Sequence, residues 1–142
     1  MNATNLDTSV VIACHTQERW HNLVAAIESV RAQHLPPAAI VVAIDHNRKL
    51  HQRLCAELSG IDVVSNDSPD RGASATRNAG AAIVTTGVTA FLDDDETATP
   101  DWLTHLLAPF DDPRVVGTGG CYRPNWLAGK PSWFPDEFAW AV

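Results

Sequence analysis

The chain is poor in several residue types, and each shortage excludes a class of protein. Its three cysteines, Cys14, Cys55 and Cys121, are odd in number and widely spaced, with no C-x-x-C pair. That pattern argues against a disulfide scaffold or a zinc knuckle and fits a reducing cytosol. Basic residues are scarce: ten Lys and Arg stand against seventeen Asp and Glu, for a net charge of −7. An acidic chain without a basic stripe is a poor partner for nucleic-acid phosphates, so no nucleic acid is expected. An acidic protein that handles a phosphorylated ligand usually needs a metal ion to mediate. The longest apolar runs, such as Ile40 to Ile44, fall far short of the ~20 residues of a membrane span. Met1 to Asp7 lacks the basic and apolar regions of a signal peptide. The six histidines contain no H-x-x-x-H pair, so a histidine metal site is not expected. Gly117-Thr118-Gly119-Gly120 is followed by no Lys-Ser/Thr pair and opens no helix, and no G-x-S-x-G elbow is present. At 142 residues the chain has room for one domain and not for two comfortable ones.

What the sequence does contain is an alternation of β-branched runs with helical segments. Ser9 to Cys14 reads as a buried strand, and Glu18 to Gln33 spaces Trp20, Leu23, Val24, Ile27 and Val30 as one face of a helix stopped by Pro36-Pro37. Ile40 to Ile44 is a second buried strand ending at Asp45. A shorter helix from Leu50 to Leu58 is closed by Gly60, and Ile61 to Val64 is a third strand. Ala73 to Thr85 is predicted helical, with Ala79, Ile83 and Val84 toward a core. Val88 to Leu92 is a fourth strand running into Asp93-Asp94-Asp95-Glu96. Thr99 as N-cap and Pro100 as first residue predict another helix, and Val115-Val116 a fifth strand. This rhythm implies an α/β fold: a mostly parallel sheet with flanking helices. Ligands of such sheets bind beyond the carboxyl ends of the strands. The segments leaving those ends are the most polar of the chain: His15 to Arg19, Asp45 to Asn47, Asn66 to Gly72 and Asp93 to Glu96.

Four consecutive acids at the end of a buried strand repel one another unless water or a cation lies among them. Hard divalent ions bridge one or two carboxylates to a substrate phosphate, which makes this cluster a candidate metal site. Taken alone, a solvated acidic turn explains it as well; its position at a strand end favours the metal. In Arg71-Gly72-Ala73-Ser74-Ala75-Thr76-Arg77-Asn78-Ala79-Gly80, Gly72 permits a tight loop and Ser74 can bond the first helical N–H groups. The small residues let this helix approach the sheet closely, and its start, with two arginines nearby, is a candidate anion site. Asp45 can accept hydrogen bonds from a base or a ribose, although a plain turn explains it almost as well. Cys14 reads as the buried end of a strand rather than as a nucleophile. A phospho-acceptor domain would need acids at the end of the first strand, and Cys14-His15-Thr16 supplies none.

In their order these pieces resemble the inverting family 2 glycosyltransferases of the GT-A fold, which is Rossmann-like. Val10 to Arg19 is similar to the family's opening "VVIPTYNR", with Cys14-His15-Thr16 standing where the family has Pro-Thr-Tyr. Asp45 matches the acid ending its second strand, Arg71 to Gly80 resembles "GxSxARNxG", and Phe91 to Asp95 is its "FLDDD". Pro100 to Leu103 also fits, and Trp133 to Trp140 resembles a bacterial subgroup. The resemblance implies a nucleotide-diphosphate sugar as donor and a hydroxyl acceptor, saccharide or lipid-linked. It implies that His15 lies in the base-contacting loop, that Asp45 meets the nucleobase and Asp94 the ribose. Asp95, helped by Asp93, would hold Mg²⁺ or Mn²⁺, with Arg77 and Arg71 near the phosphates. Residues 1–118 are then the nucleotide-sugar-binding domain. Residues 119–142 begin an aromatic-rich, incomplete acceptor-side region, the chain stopping before the family's usual base. Of the late acids Asp136 and Glu137, Glu137 is the candidate general base. The alternative is a non-catalytic donor-binding fragment or half-enzyme needing a partner chain, with the aromatic tail a surface for self-association or a partner. The expected location is the cytoplasm or the cytoplasmic face of a membrane.

Overall fold

The first β-branched run becomes one of the two inner strands of a sheet. A computed structural model describes residues 6–141 and contains four strands and four α-helices in strict alternation. Strand β1 (Thr8–Cys14) leads to α1 (Trp20–Arg31), β2 (Ala39–Asp45) to α2 (Arg48–Glu57), β3 (Asp62–Asn66) to α3 (Ala73–Ala81), and β4 (Val88–Asp93) to α4 (Trp102–Leu107). The sheet order is β3-β2-β1-β4, and its three pairings are all parallel. Val11 lies opposite Val41 on one side and Phe91 on the other. The architecture is the parallel α/β sheet that the alternation predicts, and it is Rossmann-like as the resemblance implies.

Side chains alternate across the pleat, and the two faces differ in what covers them. Val10, Ile12, Ile40, Val42, Ile44 and Leu92 face Leu23, Ile27 and Val30 of α1, Leu50 and Leu54 of α2, and Leu103 of α4. Burial of each large aliphatic side chain contributes about 1.5–3 kcal/mol, so this face supplies most of the core's cohesion. On the opposite face Val11, Val41 and Ala43 meet Val64 and Val84 under α3. That helix comes close because of Gly80: a Cβ there would stand 2.5 Å from Val11 Cγ1 and 3.1 Å from Ala43 Cβ.

Five local expectations are corrected. Helix α4 starts at Trp102 rather than at Pro100. The Thr99 side chain does not cap it. Instead the buried Gln33, just past the end of α1, accepts the Leu103 N–H at 2.9 Å and donates to the Thr99 carbonyl at 2.7 Å. A side chain distant in sequence has taken the capping role. Helix α3 ends at Ala81, not Thr85, and Ile83 is 46% exposed; Thr76 and Gly80 are the residues it buries. Ser74 makes no cap bond at its start. Val115 and Val116 join no strand: the Val115 N–H closes a turn onto the Asp112 carbonyl, and Val116 is 97% exposed. A 3₁₀ turn (Ala108–Asp111) follows α4, and another segment (Asp136–Ala141) ends the described chain. Among the described residues no helix is long and apolar enough to cross a membrane.

Candidate functional site

The carboxyl ends of β1, β2 and β4 open onto a cleft of about 380 Å³. It gathers six residues singled out from the sequence: His15, Asp45, Arg77, Asp93, Asp94 and Asp95. Cys14, Arg19, Gly72 and Thr76 complete much of its wall. Parallel pairing explains the convergence, because Ala13 stands opposite Asp93 while Cys14 stands opposite Ile44, just before Asp45. Arg71 and Glu137 are exposed and do not line the cleft. A smaller hollow at the other end of the sheet, lined by Leu6, Pro36 and Leu103 among others, has Asp7 as its one ionisable side chain.

One wall is acidic, and arginines hold it. The Arg77 guanidinium donates to Asp93 Oδ1. Arg19 Nη1 lies 2.7 Å from Asp95 Oδ2 and 3.3 Å from Asp94 Oδ1, and its Nη2 is 3.4 Å from His15 Nδ1. Glu96 turns back to accept the Asp93 N–H at 3.3 Å. Asp94 is the buried member, its side chain 5% exposed, and its Oδ2 has no hydrogen-bond partner. Burial pushes the Asp94 carboxyl above its ordinary value, against the pull of Arg19 and with the repulsion of Asp95. Desolvation likewise raises Glu96. Burial, followed by the nearby Asp94 charge, pushes the Cys14 thiol up to about 12. With its Sγ directed to the Ala43 carbonyl, Cys14 is a protonated strand-end residue and not a nucleophile.

Among the described residues no group of three or more His, Cys, Asp and Glu side chains converges as a metal cage. Mg²⁺ and Mn²⁺ sites make a smaller demand: one or two carboxylates, with waters and substrate phosphates completing the shell. The donor set of this wall fits that demand. A buried carboxylate oxygen without a partner also marks a place where a cation or a hydroxyl donor would lower the energy.

The other wall is organised by Asp45. Its Oδ1 lies 2.6 Å from His46 Nδ1 and accepts from Asn66 Nδ2 at 3.2 Å, while its Oδ2 accepts the Gly72 N–H at 2.9 Å. Partial desolvation pushes the Asp45 carboxyl up, but the bonds from His46 and Gly72 outweigh it and hold the group below its ordinary value. A carboxylate offers about four lone-pair positions, so three bonds leave one on Oδ2 for a ligand N–H or O–H. His46 sits at φ +48°, a left-handed conformation rare outside glycine, with its Nε2 2.8 Å from the Ser68 carbonyl. Gly72, at φ +98°, precedes α3, and Thr76 Oγ1 donates back to its carbonyl at 2.9 Å. The exposed start of α3 therefore stands between the two walls.

Arg19, His46 and Asn66 carry much of this geometry and were not singled out in the sequence. Arg19 was traceable in principle: it leaves β1 on the same sheet end as the acids, and β1 and β4 are neighbours. Nothing in the sequence marks the left-handed turn at His46, a position where glycine or asparagine would be the readable signal.

The profile of the family described as Glycosyl transferase family 2 matches residues 9–138. The chain is 36% identical over 140 residues to the glucosyl-dolichyl phosphate glucuronosyltransferase of Haloferax volcanii, covering 96% of this chain and 45% of that protein. It is 31% identical over 138 residues to a type 2 glycosyltransferase of Gibberella zeae, covering 96% of this chain and 26% of the other. The chain thus spans less than half the length of these curated relatives. The crystal structure of S. aureus TarS 1-349 superposes with a TM-score of 0.57 at 18% identity, over 76% of this chain and 33% of that one, and shares its fold. The profile match, running over residues 9–138, shows that the chain belongs to glycosyl transferase family 2.

Proposed function

We propose that the cleft binds a nucleoside-diphosphate sugar and forms the donor side of a sugar transfer to an acceptor hydroxyl. The observation that carries this reading is the convergence of Asp45, Arg77 and the Asp93-Asp94-Asp95 wall on one cleft at the strand ends. Asp45 accepts a hydrogen bond from the nucleobase through its remaining lone pair, with His15 beside the base. Asp94, buried and with Oδ2 unpartnered, accepts from a ribose hydroxyl. Arg77 and the start of α3 lie where a diphosphate would sit, and Arg71 flanks them. Asp95, with Asp93 beside it, would hold a Mg²⁺ or Mn²⁺ ion, whose charge stabilises the leaving diphosphate. Transfer by one displacement breaks the anomeric C–O bond to the diphosphate as the acceptor oxygen attacks from the opposite face and gives up its proton to a general base, for which Glu137 is the candidate, giving inversion. The similarity to a glucosyl-dolichyl phosphate glucuronosyltransferase favours a lipid-linked saccharide as acceptor.

A second reading, a donor-binding module without turnover, is favoured by one observation. All four carboxylates that line the cleft, Asp45, Asp93, Asp94 and Asp95, have donor-side roles, and Glu137 lies outside it. Calorimetric titration with a panel of nucleoside diphosphates, in Mn²⁺ and in EDTA, tests the shared part of both readings. Metal-dependent binding of one nucleotide is expected, and equal affinity in EDTA would sink the metal role. Product analysis with a lipid-linked saccharide then separates transfer from binding alone.

A further inference from the structure

Resting on that metal reading, we infer that Arg19 is a built-in counter-cation of the acid wall and competes with a divalent metal for Asp95. A single guanidinium spans two of the acids, at 2.7 Å from Asp95 Oδ2 and 3.3 Å from Asp94 Oδ1. It thereby occupies a carboxylate that a metal ion would need. Its backbone is fixed and its side chain is not. Residue 19 immediately precedes α1, and its carbonyl accepts the Leu23 N–H at 2.9 Å. The loop before it is pinned by the Asn47 side chain, which donates to the His15 carbonyl at 2.9 Å. The guanidinium, on a side chain about one-third exposed, makes its polar contacts among the described residues to Asp94, Asp95 and His15. It can leave by rotation about its own χ angles without disturbing the core.

Charge makes the exchange directional. Asp93, Asp94, Asp95 and Glu96 bring four negative charges, and Arg19 and Arg77 answer two of them. An arriving divalent ion is favoured by the residual charge, but it must displace Arg19 from Asp95 and is repelled by the guanidinium if that stays. Asp94 Oδ2, buried and unpartnered in the arginine-held state, shows that the guanidinium satisfies the wall incompletely. The wall is thus held together in the absence of metal, at the cost of weaker affinity for free metal.

The test is calorimetric titration of the 142-residue chain with Mn²⁺ alone. Arg19→Gln is expected to bind Mn²⁺ about tenfold more tightly than the unaltered chain. Arg114→Gln, which removes one positive charge at a remote surface pair with Asp112, is expected to leave the affinity unchanged. Equal or weaker binding by Arg19→Gln overturns the inference, and so does an equal gain in Arg114→Gln. If Mn²⁺ binds the unaltered chain, is lost in Asp95→Asn and is indifferent to Arg19→Gln, the metal reading stands and only the competition falls. No binding by either the unaltered chain or Arg19→Gln overturns both. Should Arg19→Gln not fold, nitrogen-15 signals of the Arg19 guanidinium in the unaltered chain decide. Movement that saturates with added Mg²⁺ supports the exchange, and static signals at metal saturation overturn it.

Discussion

The Gly72 backbone N–H donates to Asp45 Oδ2 at 2.9 Å, so the carboxylate that ends β2 also fixes the approach to α3. One side chain therefore sets both the wall assigned to the nucleoside and the helix start assigned to the phosphates. The same carboxylate receives His46 and Asn66, whose other bonds go to the Ser68 and Asp70 carbonyls of the loop between β3 and α3.

Replacing Asp45 with Ala is expected to weaken nucleoside-diphosphate binding at least tenfold without altering its metal requirement. Losing three hydrogen bonds should also cost about 1–3 kcal/mol of stability. Titrations in Mn²⁺ and EDTA, with urea unfolding alongside, check both parts. A variant whose metal dependence alone changes would contradict the assignment.

Asp45 also gives an acid limb to stability. Its carboxyl lies below the ordinary value in the folded chain, so the folded state binds its proton less readily than the unfolded state. The stabilisation is complete above the unfolded pKa of about 3.9 and is lost as pH falls through the lowered folded value. Asp45→Asn is expected to be less stable at pH 7 and to lose less on acidification from pH 5 to 3. Urea midpoints across that range measure it.

Asp95→Ala is expected to abolish metal-dependent nucleotide binding and to leave the fold intact, because Asp95 is half exposed and its contact with Arg19 is a surface ion pair. Unchanged circular dichroism with flat Mn²⁺ titrations is the anticipated result. Glu137→Gln, outside the cleft, is expected to leave nucleotide affinity unaltered.

Gly80→Ala probes the close approach of α3. Alanine favours an isolated helix over glycine by about 1 kcal/mol, yet the added Cβ would meet Val11 Cγ1 at 2.5 Å. Overpacking typically costs about 1–3 kcal/mol, so net destabilisation is expected from thermal unfolding. Stabilisation would mean that α3 can move off the sheet.

The sheet and most of its helices were legible because each strand is a β-branched run and α1, α2 and α4 repeat their apolar residues every three or four positions, whereas α3 buries Thr76 and Gly80. The ends of elements were less so. Thr99 and Pro100 carry a helix-start pattern that Gln33, 66 residues earlier, overrides by capping Leu103 itself. Ile83 was misplaced because a helical period was extended past Ala81, where α3 stops. Five of the six cleft residues forecast sit on segments leaving a strand, and the sixth, Arg77, is carried by α3. The contacts between walls, such as Arg19 with Asp95 and Gly72 with Asp45, join positions that the sequence alone does not pair.

The β1–β4 register has a consequence for the order of assembly. Ala13 and Asp93 become neighbours only after β4 docks, across eighty positions of chain, whereas β1, β2 and β3 each pair with a strand close in sequence. Closing the longer loop carries the larger entropic cost and belongs late in folding. A nascent chain would thus form the nucleoside wall first, and the acids would remain apart from Arg19 until the last strand arrives. On the proposed function, ligand-binding competence and completion of the sheet are then one event, and nucleotide binding during refolding is expected to report on β4 docking rather than on collapse.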